Sequence, residues 1–350
     1  MSFWQGRPVL VTGGSGFIGA NLVETLLALD AKVRVADSLE RGRLESLRPW
    51  LDRIEFVQAD LLERAACREA CEGVDTVFHL ASRVGAIGYY AAHPASVLAD
   101  NCSIDANVLM AAAHSGVGRY VYASSVFVYP AELQRDPNAP ALKEGQALPA
   151  NPPNAYGWAK LFGEKLLEGA TCEHPSLRGA VLRLIGVYGR HQSLDLERGS
   201  IIPVLVRRAI EYPRGQPFTI RGTGLETRSY CYVGDVLRAL LTAAEKLDSH
   251  TFLGPVNVGS ETRITIIDLA RMIVSLSGKD IEIVLTPAET LVWGQAVDCS
   301  EALRLLDEWR PEMPLSEGLR RVFEYARGLL EPEEGGILST PGGGRPPPGP

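Results

Sequence analysis

VLVTGGSGFIGANLVE, residues 9–24, is an apolar run that breaks into glycine and then resumes with helical periodicity. Gly13, Gly16 and Gly19 fall three apart, between what reads as a first strand and a first helix. Glycine in such a turn lets the backbone approach a pyrophosphate, whose charge then rests on the helix N-terminus. Gly13, Gly16, Phe17, Ile18 and Gly19 are therefore candidate cofactor contacts. The next apolar run, KVRVAD, ends in Asp37, 18 residues after Gly19. A carboxylate there accepts from ribose hydroxyls and repels a 2′-phosphate, which favours NAD over NADP. Ser38 beside it offers only a neutral hydroxyl, while Arg41 and Arg43 would meet a 2′-phosphate only if their loop folded back. Asp60 and Leu61, after the third strand, are placed near the adenine.

Outward from this turn, apolar runs alternate with amphipathic stretches: PVLVTGG, ANLVETLLALD, KVRVAD, IEFVQAD, DTVFHLAS and RYVYASS. Strands alternating with helices imply parallel pairing and right-handed crossovers. The expected fold is α/β, a doubly wound parallel sheet of the Rossmann type with a smaller C-terminal α/β substrate lobe. After about Gly186 the pattern loosens, with a helix expected from about Ile202 to Ala209 and the turn-rich YPRGQPFTIRGTGLETRS. The expected cofactor domain is 1–186 plus about 230–260, and the substrate lobe is 187–229 plus about 261–330. The Gly/Pro-rich stretch 331–350 has too few apolar residues to offset its ordering entropy and is expected to be disordered.

Composition excludes several classes. With 350 residues, 46% hydrophobic and 22% charged, the chain can bury a sizeable core. A net charge of −7 without a basic cluster argues against nucleic acid. No stretch reaches the roughly 18 apolar residues of a membrane span, and the N-terminus lacks a signal-peptide pattern, so the expected setting is the cytoplasm. Among six cysteines, only Cys67 and Cys71 lie one helical turn apart, with no further ligand nearby, and they read as structural rather than metal-binding.

A second motif is NAYGWAKLFGEKLL, where Tyr156 and Lys160 stand four apart on one helical face. A phenol with an ordinary pKa of about 10 serves as a base near neutrality only if positive charge favours the phenolate. Lys160 supplies one such charge and an oxidised nicotinamide another. About 30 residues upstream, ASSVFVYP (123–130) ends a strand with two hydroxyls, Ser124 and Ser125.

With these motifs in one chain, residues 8–325 resemble the extended short-chain dehydrogenase/reductases, specifically the NAD-dependent nucleotide-sugar epimerases and dehydratases. The resemblance rests on VTGGSGFIG, Asp37, HLAS, YASSVFVYP, YGWAK, LRLIGVYG and GTGLETRSYCYVGDV. It implies that Ser125 hydrogen-bonds the reacting hydroxyl, Tyr156 removes its proton, and Lys160 holds the nicotinamide ribose. It also implies that Leu80, Ala81 and Ser82 line the cofactor and that Arg228 grips the diphosphate of a nucleotide sugar through a bidentate fork. SRVGAIGYYAAHP, with Gly85 and Ala86 facing substrate, looks like a loop of GDP-mannose 3,5-epimerases and GDP-fucose synthases. The resemblance further implies a homodimer paired through helices near Val97 to His114 and Asn154 to Glu168.

Within that resemblance, absences narrow the chemistry. Dehydratases and decarboxylases of the family carry an acid where this chain has Val126 and Phe127, and 3,5-epimerases and fucose synthases place a cysteine at Phe127 and a lysine or histidine near Ser200 and Ile201. What remains is Ser125, Tyr156 and Lys160, sufficient for reversible alcohol oxidation and hence a nucleotide-sugar 4-epimerase. A 3,5-epimerase-like enzyme, a net dehydrogenase, and a non-catalytic NAD-binding module are the alternatives. Gly186 replaces the family's usual Asn and Gln295 its second diphosphate arginine; His79 reads as a packed strand residue and His191 as a loop residue.

Overall fold

The structure is a computed structural model describing residues 2–331 apart from 86, 216 and 289–291. Ala86 and the Gly/Pro-rich stretch 332–350 lie outside the described residues. Strands are β1 (Pro8–Thr12), β2 (Lys32–Asp37), β3 (Glu55–Gln58), β4 (Thr76–His79), β5 (Arg119–Ser125), β6 (Arg178–Leu184), β7 (Val187–Tyr188), β8 (Thr219–Arg221), β9 (Thr227–Ser229), β10 (Cys231–Tyr232), β11 (Phe252–Val258), β12 (Arg263–Thr265), β13 (Val284–Thr286) and β14 (Gly294–Gln295). Helices are α1 (Phe17–Ala28), α2 (Arg64–Cys71), α3 (Ile87–Ala92), α4 (Pro94–His114), α5 (Ala155–Glu173), α6 (Ile201–Glu211), α7 (Val233–Lys246), α8 (Ile266–Ser277), α9 (Ser300–Leu305) and α10 (Leu315–Leu330).

The main sheet runs β11-β6-β5-β4-β1-β2-β3, all parallel. Its inner strands read as unbroken apolar runs because helices cover both faces: β1 is buried from Val9 to Thr12, and β4 throughout. Strand order reverses between β1 and β4, so their carboxyl ends open a crevice where an α/β sheet takes its ligand. The helix expected from Ile202 begins one residue earlier and runs two residues beyond Ala209. Cys67 and Cys71 face the core from α2, where burial pushes both thiols up to about 12.

Helices α4 and α5 pack side by side. Two glycines let α5 approach the end of β5. A Cβ on Gly157 would lie 2.1 Å from the Phe127 carbonyl oxygen, and one on Gly163 would lie 2.2 Å from the Tyr122 hydroxyl. On their outer surface the two helices expose Leu98 (38%), Trp158 (43%) and Phe162 (40%).

Behind β5, a buried polar cluster joins the sheet to the C-terminal half. Arg183 on β6 donates to both carboxylate oxygens of Glu164 on α5, at 2.8 and 2.7 Å. A further Arg183 nitrogen donates to the Tyr129 hydroxyl and the Glu144 carbonyl. Tyr129 donates to Asn257 on β11, at 2.5 Å. The remaining short strands form separate sheets, β12-β9-β14, β13-β8 and β10-β7.

Removing one partner of a buried ion pair strands the other charge. Arg183→Met is expected to lower stability by roughly 3–5 kcal/mol, read from the urea unfolding midpoint. Adding Glu164→Met is expected to recover most of that loss, and an unchanged midpoint in the double variant relative to the single one would contradict the account.

Candidate active site

The carboxyl ends of β1, β2, β4 and β5 bring the glycine turn, Asp37, Leu80–Ser82 and Ser125 to one edge of the sheet, where α5 adds Tyr156 and Lys160. At β1, Gly13 adopts a left-handed backbone (φ +68°), and a Cβ there would lie 2.9 Å from the Ala81 backbone. A Cβ on Gly19 would lie 2.3 Å from the Gly13 carbonyl oxygen, so helix α1 starts hard against the turn. Only glycine meets both conditions. The α1 N-terminus follows at Gly16 with no side-chain cap, and Phe17 and Ile18 are half-buried in its first turn. The Ser15 hydroxyl is buried without a hydrogen-bond partner among the described residues. An uncapped helix start and an unmet hydroxyl fit a pyrophosphate.

Asp37 ends β2 nearly buried, accepting from the backbone N–H of Ser15 and of Leu39, each at 2.9 Å. Each oxygen keeps lone-pair capacity for a ribose hydroxyl. Gly42 packs on this carboxylate, where a Cβ would lie 2.7 Å from it. Ser38 is exposed. Arg41 donates to the Val84 carbonyl rather than turning back on Asp37, and Arg83 pairs with Glu40 at 3.2 Å and Asp100 at 2.6 Å. Asp60 is exposed and accepts from the Leu62 N–H, while Leu61 is buried in the cluster under α2 and α4.

On the other side of the turn, the backbone N–H groups of Leu80 and Ala81 donate to the Thr12 hydroxyl at 3.2 Å. Ser82 donates to Asn101 of α4 at 2.6 Å. Ser82 and Ser125, at the two strand ends, lie at the Tyr156 hydroxyl and favour its ionised form. Ser125 also caps the following turn by accepting from the Phe127 N–H at 3.3 Å. Strand alternation sends Ser124 the opposite way, onto Glu164 at 2.5 Å.

Lys160 is 1% exposed. Its ammonium lies 4.6 Å from the centre of the Tyr122 ring and 5.7 Å from that of Tyr156. Burial lowers its pKa, against the opposing pull of Asp105 and Glu164. Burial likewise raises the Tyr156 phenol above its ordinary value, with Asp105 adding to the rise and the two serines opposing it. Without cofactor, then, Tyr156 is protonated near neutrality.

The Tyr156 ring stacks on Tyr90 at 5.2 Å and meets the edge of Phe127 at 6.1 Å. Phe127 thus contributes an apolar wall beside the phenol. Gly85 sits at the rim, donating to the Tyr90 hydroxyl at 3.2 Å, with a Cβ excluded by Tyr89.

The substrate-side residues are placed differently from a bare reading of their motifs. Arg228 uses its terminal nitrogens on the carbonyls of Thr227 and Val292, at 2.8 and 2.9 Å. Among the described residues no carboxylate forms an ion pair with it. Gln295 is buried and donates to Gln134 at 2.9 Å. Gly186 is left-handed (φ +57°), and a Cβ would lie 2.0 Å from the Ser229 carbonyl oxygen, so an asparagine cannot stand there without moving the strand opposite. His191 contacts Tyr325 of α10 at 3.2 Å.

His79 does more than pack: its ring joins Thr12 at 2.8 Å to Asp105 at 3.0 Å. Sequence reasoning missed Asp105, Asn101 and Tyr90. The signal for the first two is their register, since Val97, Asn101, Ile104, Asp105 and Val108 form the buried stripe of α4. A polar residue in that stripe needs a partner.

Comparison with known proteins agrees with this geometry. The model of the NAD dependent epimerase/dehydratase family matches residues 9–259. GDP-mannose 3,5-epimerase of Arabidopsis thaliana is 28% identical over 338 residues, covering 95% of this chain and 86% of that protein. The structure of UDP-glucose 4-epimerase from Thermotoga maritima with UDP-glucose is 27% identical with a TM-score of 0.81, covering 93% of this chain and 100% of that one. That of Thermus thermophilus UDP-glucose 4-epimerase in complex with NAD is 26% identical with a TM-score of 0.78, covering 92% and 99%. The match spans most of the chain and includes the glycine turn, Asp37 and the Tyr156–Lys160 helix: the chain belongs to the NAD-dependent epimerase/dehydratase family, and its cofactor is NAD.

Proposed function

We propose that the protein is a nucleotide-sugar 4-epimerase. The observation that carries this reading is the surroundings of Tyr156: Ser125 and Ser82 at its hydroxyl, Lys160 beside it, and, among the described residues, Tyr90 and Phe127 as its aromatic neighbours. Such a set handles one hydroxyl proton and has no second acid or base for carbon. Ser125 orients the sugar C4 hydroxyl, Tyr156 accepts its proton, and Lys160 holds positive charge near the forming phenolate. Tyr90 and Phe127 keep water from that exchange. Bound NAD supplies a reversible hydride acceptor. Residues 1–186 with about 230–260 hold the cofactor, residues 187–229 with about 261–330 hold the nucleotide sugar, and Arg228 offers the diphosphate a half-buried cation lacking a carboxylate partner among the described residues.

The same reading includes a homodimer. Leu98, Trp158 and Phe162 leave an apolar strip on α4 and α5 that a second copy would cover by two-fold symmetry. Six cysteines, free in the described structure, suit the reducing cytoplasm.

Incubation with a panel of nucleotide sugars in deuterated water tests the chemistry. The expected product differs at C4 and carries no solvent deuterium at C3 or C5; deuterium at either carbon would establish the 3,5-epimerase reading instead. Tyr156→Phe is expected to reduce turnover by about a hundredfold or more.

For the cofactor, direct titration is expected to show NAD bound more tightly than NADP. Asp37→Ala should narrow that preference by about tenfold, or about 1.4 kcal/mol, because the charge facing the 2′ position is gone. For assembly, light scattering is expected to give a dimer, and Trp158→Glu a monomer at the same concentration.

A further inference from the structure

Beneath Tyr156 and Lys160 lies a carboxylate that the chemistry above does not use. Asp105 of α4 is 3% exposed. One of its oxygens faces His79 Nε2 at 3.0 Å, and the other accepts from the Tyr122 hydroxyl at 2.6 Å. His79 is fully buried, and burial lowers its pKa, which makes the ring neutral near neutrality. Its Nε2–H then donates to Asp105, leaving Nδ1 to accept from Thr12, whose oxygen accepts from Leu80 and Ala81. Both Asp105 oxygens are thus acceptors, the pattern of an ionised carboxylate. Gly163 makes room for the arrangement, since a Cβ there would lie 2.6 Å from Asp105 Oδ2.

The Tyr122 ring connects this anion to the active site: its hydroxyl bonds Asp105 while its face receives the Lys160 ammonium at 4.6 Å. The other titratable groups around Asp105 are Cys102 on α4, Tyr120 on β5 and Tyr156 on α5. Glu164 of α5, which also acts on Lys160, is already paired with Arg183 of β6. Among the described residues, Lys160 is therefore the one cation left facing Asp105, whereas Glu164 already has Arg183.

We propose that Asp105 is a positioning residue of the active site: the counter-ion that offsets Lys160, so that Tyr156 keeps its proton unless the nicotinamide beside it carries positive charge. The inference rests on the reading of Tyr156 as the base. In oxidation, the hydroxyl proton passes to the Tyr156 oxygen and the C4–H electron pair leaves as hydride to the nicotinamide. In the return step, the keto oxygen takes that proton back as the hydride returns to C4. One residue must therefore be a good base before hydride transfer and a good acid after it. With Lys160 alone, the phenol would face one positive charge after transfer and two before it, and would hold its proton less firmly in both. With Asp105 included, the local charge alternates between zero and one, and the proton moves in step with the hydride.

The test is a phenolate difference-absorbance titration of the full-length protein, free and loaded with NAD⁺, with the Tyr156→Phe signal subtracted. In the native protein NAD⁺ is expected to bring the Tyr156 step to lower pH. In Asp105→Asn the cofactor-free step is expected about one pH unit or more below the native one. Tyr122→Phe, which keeps the charge, should not lower the step. A cofactor-free step in Asp105→Asn at or above the native value overturns the proposal. Should the asparagine variant not fold, Asp105→Ser carries the same expectation. Full activity of Tyr156→Phe would instead overturn the reading of the base, whatever Asp105 does.

Discussion

An ammonium group almost wholly removed from water is the constraint around which the catalytic end of this protein is organised. Burying Lys160 disfavours its charged form, and the surroundings must offset that cost with nearby negative charge and polarisable faces. The Tyr122 ring, Asp105 and Glu164 do so from three different elements, β5, α4 and α5. For those elements to converge, α5 has to press into the end of the sheet, which accounts for glycine at 157 and 163 in the motif-bearing helix. The Tyr–Lys pair is thus a tertiary object as much as a helical one.

That distinction explains which parts were legible in the sequence. Gly13, Gly16 and Gly19 announce themselves because a tight turn between strand and helix has few chemical solutions. Asp37 follows from strand length, and Tyr156 with Lys160 from helical spacing. Each is a local pattern whose function is carried by its own spacing. Asp105 has no such pattern: on its own it is an acid in a 21-residue helix, and its meaning comes from His79, 26 residues earlier, and Tyr122, 17 residues later. His79 was read as packing for the same reason. Its hydrogen-bond partners sit on β1 and α4, and nothing within HLAS specifies them.

The second half of the chain shows the opposite lesson, where a missing family residue is a change of backbone rather than a gap. At Gly186 the chain turns left-handed as it leaves β6 for β7, and the Ser229 carbonyl occupies the place of a side chain. The strand that carries Arg228 therefore lies closer to β6 than a larger residue would permit. Arg228 in turn ties down the carbonyls before β14, while Gln295 within β14 bonds Gln134. Arg228 and Arg263, on paired strands of this small sheet, both spend donors on backbone carbonyls.

The adjacent serines at the end of β5 link these two regions. Because successive strand residues face opposite ways, Ser125 meets Tyr156 while Ser124 meets Glu164, the carboxylate held by Arg183. The same two residues therefore face opposite sides of the strand end, one toward Tyr156 and one toward the ion pair that joins the sheet to Tyr129, Glu144 and Asn257. Val126 and Phe127 follow in a tight turn that Ser125 itself caps, so the apolar wall beside the phenol is set by the backbone next to that serine.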